Sequence, residues 1–344
     1  MRITLTKPDD WHLHLRDDGG MASVVAHSAE RFARAIVMPN LKPPVTNTKM
    51  AIEYRQRILD ALPDDTGFTP LMTLYLTDRL TSAEVIKAKQ SGYIHGIKLY
   101  PAGATTNSDA GVTNIRALYP VLETMQKEGI PLLVHAEVTD QQVDIFDREK
   151  VFIDRHMTPL RKDFPELSMV FEHVTTRDAV DFVMASGGSI GATITVQHLM
   201  FNRNHMLAGG IRPHYYCLPI LKREIHQESL IKAATSGDPR FFLGTDSAPH
   251  PQHAKECGCG CAGCYTAHAA IELYAEIFDA ENALDKLEGF ASLHGPDFYG
   301  LPRNQQQVTL EKADWEAPES YRFGEDRVVP LRAGQPIHWQ IVSE

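Results

Sequence analysis

Two histidines stand one residue apart in "DWHLHLRD" (residues 10–17), with Arg16 just beyond. In an extended chain residues i and i+2 share a face, so His12 and His14 can aim two imidazoles at one point. Imidazole is a good ligand for divalent transition metals, and two on one face are half of a tetrahedral site. Two histidines on a wet strand face are also an ordinary arrangement, so the reading turns on further ligands. His135 closes the run "PLLVH", His173 closes "MVFEH", Asp246 closes "FFLGTD", and Lys98 lies near the end of "GIKLY". Four imidazoles and a carboxylate suit a Zn²⁺-type site. The lysine does not: an ammonium has three donors and no lone pair. As a carbamate, formed by loss of its proton and uptake of CO₂, it would offer two oxygens and a negative charge.

Residues scattered from 12 to 246 need a scaffold that gathers them. Eight short apolar runs recur: 11–15, 35–40, 70–76, 96–100, 131–135, 169–173, 190–195 and 241–246. Most are too short for helices and are rich in Val, Ile, Leu and Phe, as buried parallel strands are. Helical patterns fill several intervals, at 48–62, 81–92 and 113–129, the last two ending on glycine. Eight strand–helix units predict a (β/α)₈ barrel, in which strand C-termini converge on one mouth. Asn40 ends the second run and joins the same rim. An open doubly wound sheet is the rival, and no glycine-rich phosphate loop follows the first strand to support it. Residues 310–344 turn polar and then alternate; they read as short strands or loops packed on the barrel, within a single domain spanning 1–344.

The bulk properties narrow the function. With 344 residues, 43% of them hydrophobic, the chain has ample material for such a core. A net charge of −10 argues against nucleic-acid binding, though not against an acidic substrate in a locally positive cleft. No stretch approaches a membrane span, and the N-terminus shows no secretory signal. Four of the five cysteines fall in "CGCGCAGC" (257–264), which is no disulfide framework; a reducing cytoplasm is expected. Four thiols within eight residues wrap one ion only with strain, so Cys257, Cys259, Cys261 and Cys264 read as free thiols on a glycine-rich loop. By composition "AGATTNSDAG" (102–111) is a solvated connector.

Taken together, "HLHLRD", "VMPNLKPP", "GIKLYPAGATTNS", "LLVHAE", "FEHVTT" and "GTDSAPHP" resemble the amidohydrolase superfamily, from residue 11 to about 300. The resemblance implies two Zn²⁺ per subunit, bridged by a hydroxide and by Lys98 as N6-carboxylysine. His12, His14 and Asp246 would hold one ion, His135 and His173 the other. Asp246 would also carry the catalytic proton. Arg16, Asn40 and His250 would bind a substrate carboxylate, and backbone groups at Leu218 and Ala262 the ring or its side group. Thr105 and Thr106 would sit on a lid that closes over substrate, which makes 102–111 more than a connector. The implied reaction is the reversible cyclisation of N-carbamoyl-L-aspartate to (S)-dihydroorotate in pyrimidine synthesis, by a homodimer. Hydantoinase- or allantoinase-like hydrolysis is the alternative. Those relatives carry β-rich segments at both ends, for which the residues before His12 leave no room. A phosphotriesterase-like hydrolase fits the ligands but not the carboxylate clamp. A non-catalytic scaffold would be expected to lose ligands, and none of the six is lost.

Overall fold

The computed structural model describes residues 1–64 and 66–342. The chain opens on a short strand, β1 (Arg2–Thr6). The eight apolar runs follow as β2 (Asp9–Leu13), β3 (Arg34–Val37), β4 (Thr69–Leu76), β5 (Ile94–Leu99), β6 (Leu132–Val134), β7 (Met169–Phe171), β8 (Ile190–Ile194) and β9 (Phe241–Leu243). They pair in sequence order, each parallel to the next. The ring closes through the Leu13–Ser247 bridge, with the Asp246 amide donating to the His12 carbonyl at 2.8 Å and the His14 amide to the Ser247 carbonyl at 3.1 Å. This is the expected TIM-type α/β barrel. Closure is tight at Gly244, where a Cβ would sit 2.7 Å from Thr193 Cβ and 3.1 Å from His12 Cβ.

The helical patterns form where caps stop them. Asn47 caps Thr48–Ala61 by accepting from the Met50 amide. Thr81 caps Ser82–Ser91, which ends at Gly92 with φ 73°. The third pattern divides: a 3₁₀ turn, Ile115–Leu118, leads into Tyr119–Glu128, closed by Gly129 in the left-handed region.

Two apolar layers follow from the strand period. The larger lies between barrel and helices and includes Val37, Leu74, Leu132, Phe171 and Leu243. The smaller gathers Trp11, Ile36, Leu71, Leu133, Val170 and Phe242 from six strands, which meet only inside the barrel. There Trp11 stacks on Tyr299 at 4.5 Å and forms the floor. The β2–β3 register shifts between Asp10 and Leu13, so Trp11 fills the floor while His12 and His14 still reach the mouth.

Residues 307–342 form the strands β10 (Gln307–Glu316), β11 (Tyr321–Phe323), β12 (Asp326–Val328) and β13 (Pro336–Val342). β11 and β12 make a hairpin; β1, β10 and β13 make a three-stranded antiparallel sheet. The expected C-terminal strands are therefore present, and Ser343 and Glu344 lie outside the described residues. The expectation of no room for a β segment before His12 is corrected: β1 pairs with β10 from Arg2–Glu311 to Thr6–Gln307. Among the described residues no helix is long and apolar enough to cross a membrane.

Candidate active site

The barrel brings the six expected ligands together. His12, His14 and Asp246 each offer a ligand atom, all within 4.8 Å of one another, and all three are buried. The two Nε2 atoms are 3.3 Å apart, and Asp246 Oδ1 lies 3.3 Å from His12 Nε2 and 3.0 Å from His14 Nε2. His173 continues the cluster, its ring 5.0 Å from that of His12 and 4.8 Å from that of His135. Lys98 is fully buried and its Nζ has no hydrogen-bond partner. A lone buried amine is costly, so its charge must be met or removed.

Groups outside the ligand set aim these side chains, and of them the sequence reading named only Asn40, in another role. Glu172 Oε2 accepts from His12 Nδ1 at 2.7 Å and from Thr193 Oγ1 at 2.7 Å. Asn40 Oδ1 accepts from His14 Nδ1 at 2.8 Å. Both histidines thereby point the lone pair of Nε2 at the common centre. Glu137 Oε2 accepts from His135 Nε2 at 2.9 Å, leaving Nδ1 free in that ring. Asp10 ties β2 to the segment that follows β9, accepting from the amides of His12 (3.1 Å) and Thr245 (2.9 Å). The local signal for Glu172 and Glu137 was adjacency: each lies within two residues of a strand-end histidine.

Burial sets the charge states. It lowers His14 to about 4 against the pull of Asp246, and it lowers His135 and, well below the usual range, His173. Burial also opposes charge on His12 and so does Lys98, but Glu172 and Asp246 outweigh both and raise it. Burial would raise Asp246; the adjoining His12 and His14 instead hold it well below the carboxylate range. Lys98 falls to about 8 through burial, despite Glu172 and Asp246. Neutral imidazoles at His14, His135 and His173, an ionised carboxylate and a readily deprotonated amine are the states a divalent ion requires of its ligands, while His12 would have to give up the proton that Glu172 and Asp246 favour. The cluster could hold a metal.

Beside it lies a small enclosed space of about 20 Å³, room for about one water. His14, Arg16, Asn40, Thr105, Thr106, Leu218 and Ala262 line it, so six of the seven expected substrate-side residues meet the cluster there. His250, the seventh, stands behind Arg16: its Nε2 is 2.9 Å from Arg16 Nη2 and 3.0 Å from the Ala262 carbonyl. One nitrogen cannot both accept from the first and donate to the second. Burial and Arg16 hold His250 well below the usual imidazole range, so the neutral ring satisfies one of these two neighbours through Nε2 and not both. The segment 102–111 covers the space. Asn40 Nδ2 donates to the Thr106 carbonyl (3.1 Å), Thr106 Oγ1 to the Ala262 carbonyl (3.3 Å) and Asn107 Nδ2 to the Asn40 carbonyl (3.0 Å).

The cysteines do not converge as a ligand set. Cys257 and Cys259 are exposed with sulfurs 3.3 Å apart, while Cys264 is buried; all five thiols are free. Among the described residues the three-ligand cluster of His12, His14 and Asp246 is the group that could hold an ion.

The amidohydrolase family model matches residues 9–308. A curated dihydroorotase of Cupriavidus necator is 64% identical over 339 residues, 98% of either chain. The crystal structure of dihydroorotase from Campylobacter jejuni is similar with a TM-score of 0.92 at 37% identity, over 99% of this chain and 98% of that one. Dihydroorotase of Saccharomyces cerevisiae, in complex with 5-fluoroorotic acid, gives 0.91 at 33% identity over the same shares. With a matching family model, near-complete relatives and a barrel whose ligand rim is intact, the chain belongs to the amidohydrolase family and, within it, to the dihydroorotases.

Proposed function

We propose that the protein is a zinc-dependent enzyme that reversibly cyclises N-carbamoyl-L-aspartate to (S)-dihydroorotate in de novo pyrimidine synthesis. The observation that carries this reading is the buried cluster of His12, His14 and Asp246 with an unpartnered Lys98 beside it. Its donor set fits two divalent ions: three neutral imidazoles, a fourth aimed by Glu172, and one carboxylate. Lys98 fits as the bridge once carboxylated, because its lowered pKa leaves a fraction of free amine to take up CO₂. His12, His14 and Asp246 would hold one ion, His135 and His173 the other, and carboxylated Lys98 both. When bound, such ions polarise the amide carbonyl and lower the pKa of water from 15.7 to roughly 7, supplying hydroxide at neutral pH.

The chain's own groups do the rest. Arg16 provides a fork for the substrate carboxylate, with Asn40 and His250 as further donors. Backbone groups at Leu218 and Ala262 fix the ring. Thr105 and Thr106 seal the site from water, as the hydrogen bonds of Thr106 support. An opening of the 102–111 segment must precede binding, since the enclosed space is far smaller than the substrate. Asp246 takes a proton from the attacking water and returns it to the leaving ring nitrogen. Reversibility requires one group for both transfers. Ring closure expels a carboxylate oxygen as water and consumes a proton, so acid favours the ring and base the open chain.

A homodimer folded from a single domain per chain is the proposed form; Ile211, 81% exposed, offers apolar surface for a second copy. Five free thiols support a reducing, cytoplasmic home. The test is turnover of both substrates by zinc-loaded protein, with bound metal counted. Absence of turnover in both directions, or equal turnover of a hydantoin lacking the carboxylate, refutes the reading.

A further inference from the structure

Tyr100 lines the enclosed space, yet its hydroxyl is buried and has no hydrogen-bond partner. It follows Lys98 by two residues, just past the end of β5, and its ring lies on the Lys98 side of the strand, nearer the mouth. The ring is packed on three sides: 5.1 Å from Lys98 Nζ, 5.2 Å from the Tyr75 ring and 6.0 Å from the His135 ring. Such packing leaves the hydroxyl little freedom to seek a partner elsewhere. The neighbouring Tyr75 hydroxyl does have a partner, the Asn107 carbonyl at 3.4 Å. Tyr299 also has an unpartnered hydroxyl, but that ring lies against Trp11 on the barrel floor and is not among the residues that line the space beside the cluster. An orphaned donor held rigidly at the wall of a reaction space is a donor kept for something that enters it.

The proposed reaction locates what it meets. At the clamp end, the substrate carboxylate already has Arg16, Asn40 and His250. At the reacting end, beside Lys98 and His135, the wall offers Asp246, which accepts, and imidazoles whose lone pairs are committed. A carbonyl oxygen there gains negative charge as the amide is attacked, and needs a hydrogen-bond donor fixed in advance. We infer that the Tyr100 hydroxyl is a further catalytic donor, bonding the oxygen of the carbonyl under attack. The inference rests on the function proposed above and assigns one oxygen of that substrate its partner.

Tyr100→Phe removes the hydroxyl and keeps the ring, so the packing of Lys98 and His135 persists. In zinc-loaded protein kcat for ring opening should fall about 100-fold, the lower range for loss of one such donor. KM should stay within about 3-fold, because the bond strengthens only as charge develops. Bound metal per chain and melting temperature should match the wild type. A kcat within about 2-fold of wild type overturns the inference. So does a loss confined to KM, which would place the hydroxyl on the ground-state substrate, or a loss of metal or of melting temperature, which would make it structural. Failure of the wild type itself to turn over would instead refute the proposed function.

Discussion

Arg16→Lys separates binding of the substrate carboxylate from every other duty of the site. Arg16 has φ 63°, and lysine bears the same backbone cost there, so the substitution adds no strain. The guanidinium works at both ends: Nε donates to the Pro249 carbonyl at 3.0 Å while Nη2 faces His250 at 2.9 Å. That anchoring holds the fork flat and ready for two carboxylate oxygens. A lysine has one nitrogen, which can satisfy Pro249 or the substrate but cannot form the fork. Losing one hydrogen bond to a charged group costs about 1.5–3 kcal/mol. At about 1.4 kcal/mol per tenfold, kcat/KM for dihydroorotate should drop roughly 10- to 150-fold. The assay follows ring opening by ultraviolet absorbance for dihydroorotate and for dihydrouracil, the same ring without the carboxylate. The penalty should fall on the first and vanish for the second, with bound metal unchanged. Equal losses on both, or lower metal content, would show that Arg16 supports the cluster and does not clamp substrate.

Glu172→Gln keeps an acceptor for His12 Nδ1 but removes the charge that strengthens the ligand; metal affinity, measured by competition with a chelator, should weaken about 10- to 100-fold with the fold intact. His95, lowered to about 4 by burial and then by Arg34, Lys89 and Arg55, titrates near 6.5 when unfolded. The unfolded chain therefore binds the extra proton between pH 6.5 and 4, and stability falls as pH drops through that window. By linkage the loss at pH 5 is about 2 kcal/mol. His95→Gln should narrow the melting-temperature gap between pH 7 and pH 5, and an unchanged gap would count against the assignment. Gly244→Ala places a Cβ 2.7 Å from Thr193 at the seam of the barrel; a cost of about 1–3 kcal/mol should appear in thermal melts. Lower metal occupancy should accompany it, because the same Cβ presses on His12.

The barrel was legible because parallel strands covered on both faces must be apolar throughout. All eight runs became strands, and the polar residues at the ends of six of them met at one rim. β1 was not legible. "RITLT" is largely exposed or half-buried, and its partner lies at residues 307–311, so nothing local marks it as paired. The break at Leu118 was hidden for a related reason: a 3₁₀ turn and an α-helix share enough of one apolar pattern to read as a single element. The candidate ligands emerged from strand-end placement, but the bridge proposed for Lys98 came from resemblance alone. Glu172 and Glu137 escaped because an isolated acid in a sequence reads as solvated. Only the assembled barrel shows each of them buried against an imidazole.

Several residues of the site break local backbone rules. Among the described non-glycine residues with positive φ are Arg16 (63°), His173 (40°), Asp246 (47°) and, on the covering segment, Asn107 (57°). Each conformation costs on the order of 1–3 kcal/mol and persists only where its surroundings over-determine it. Here they do. The Tyr54 hydroxyl holds the Arg16 carbonyl at 2.5 Å, Thr193 Oγ1 holds the His173 amide at 2.7 Å, and the His12 carbonyl holds the Asp246 amide at 2.8 Å. Thr193 bonds Glu172 as well, so the group that fixes the strained backbone of His173 also steadies the carboxylate that aims His12. Left-handed turns at the strand ends swing these side chains sideways across the mouth, where a regular strand would carry them on toward solvent. The neighbouring strands and the helix that carries Tyr54 thus supply the stability that these turns give up, and the convergence of the candidate ligands is what that exchange secures.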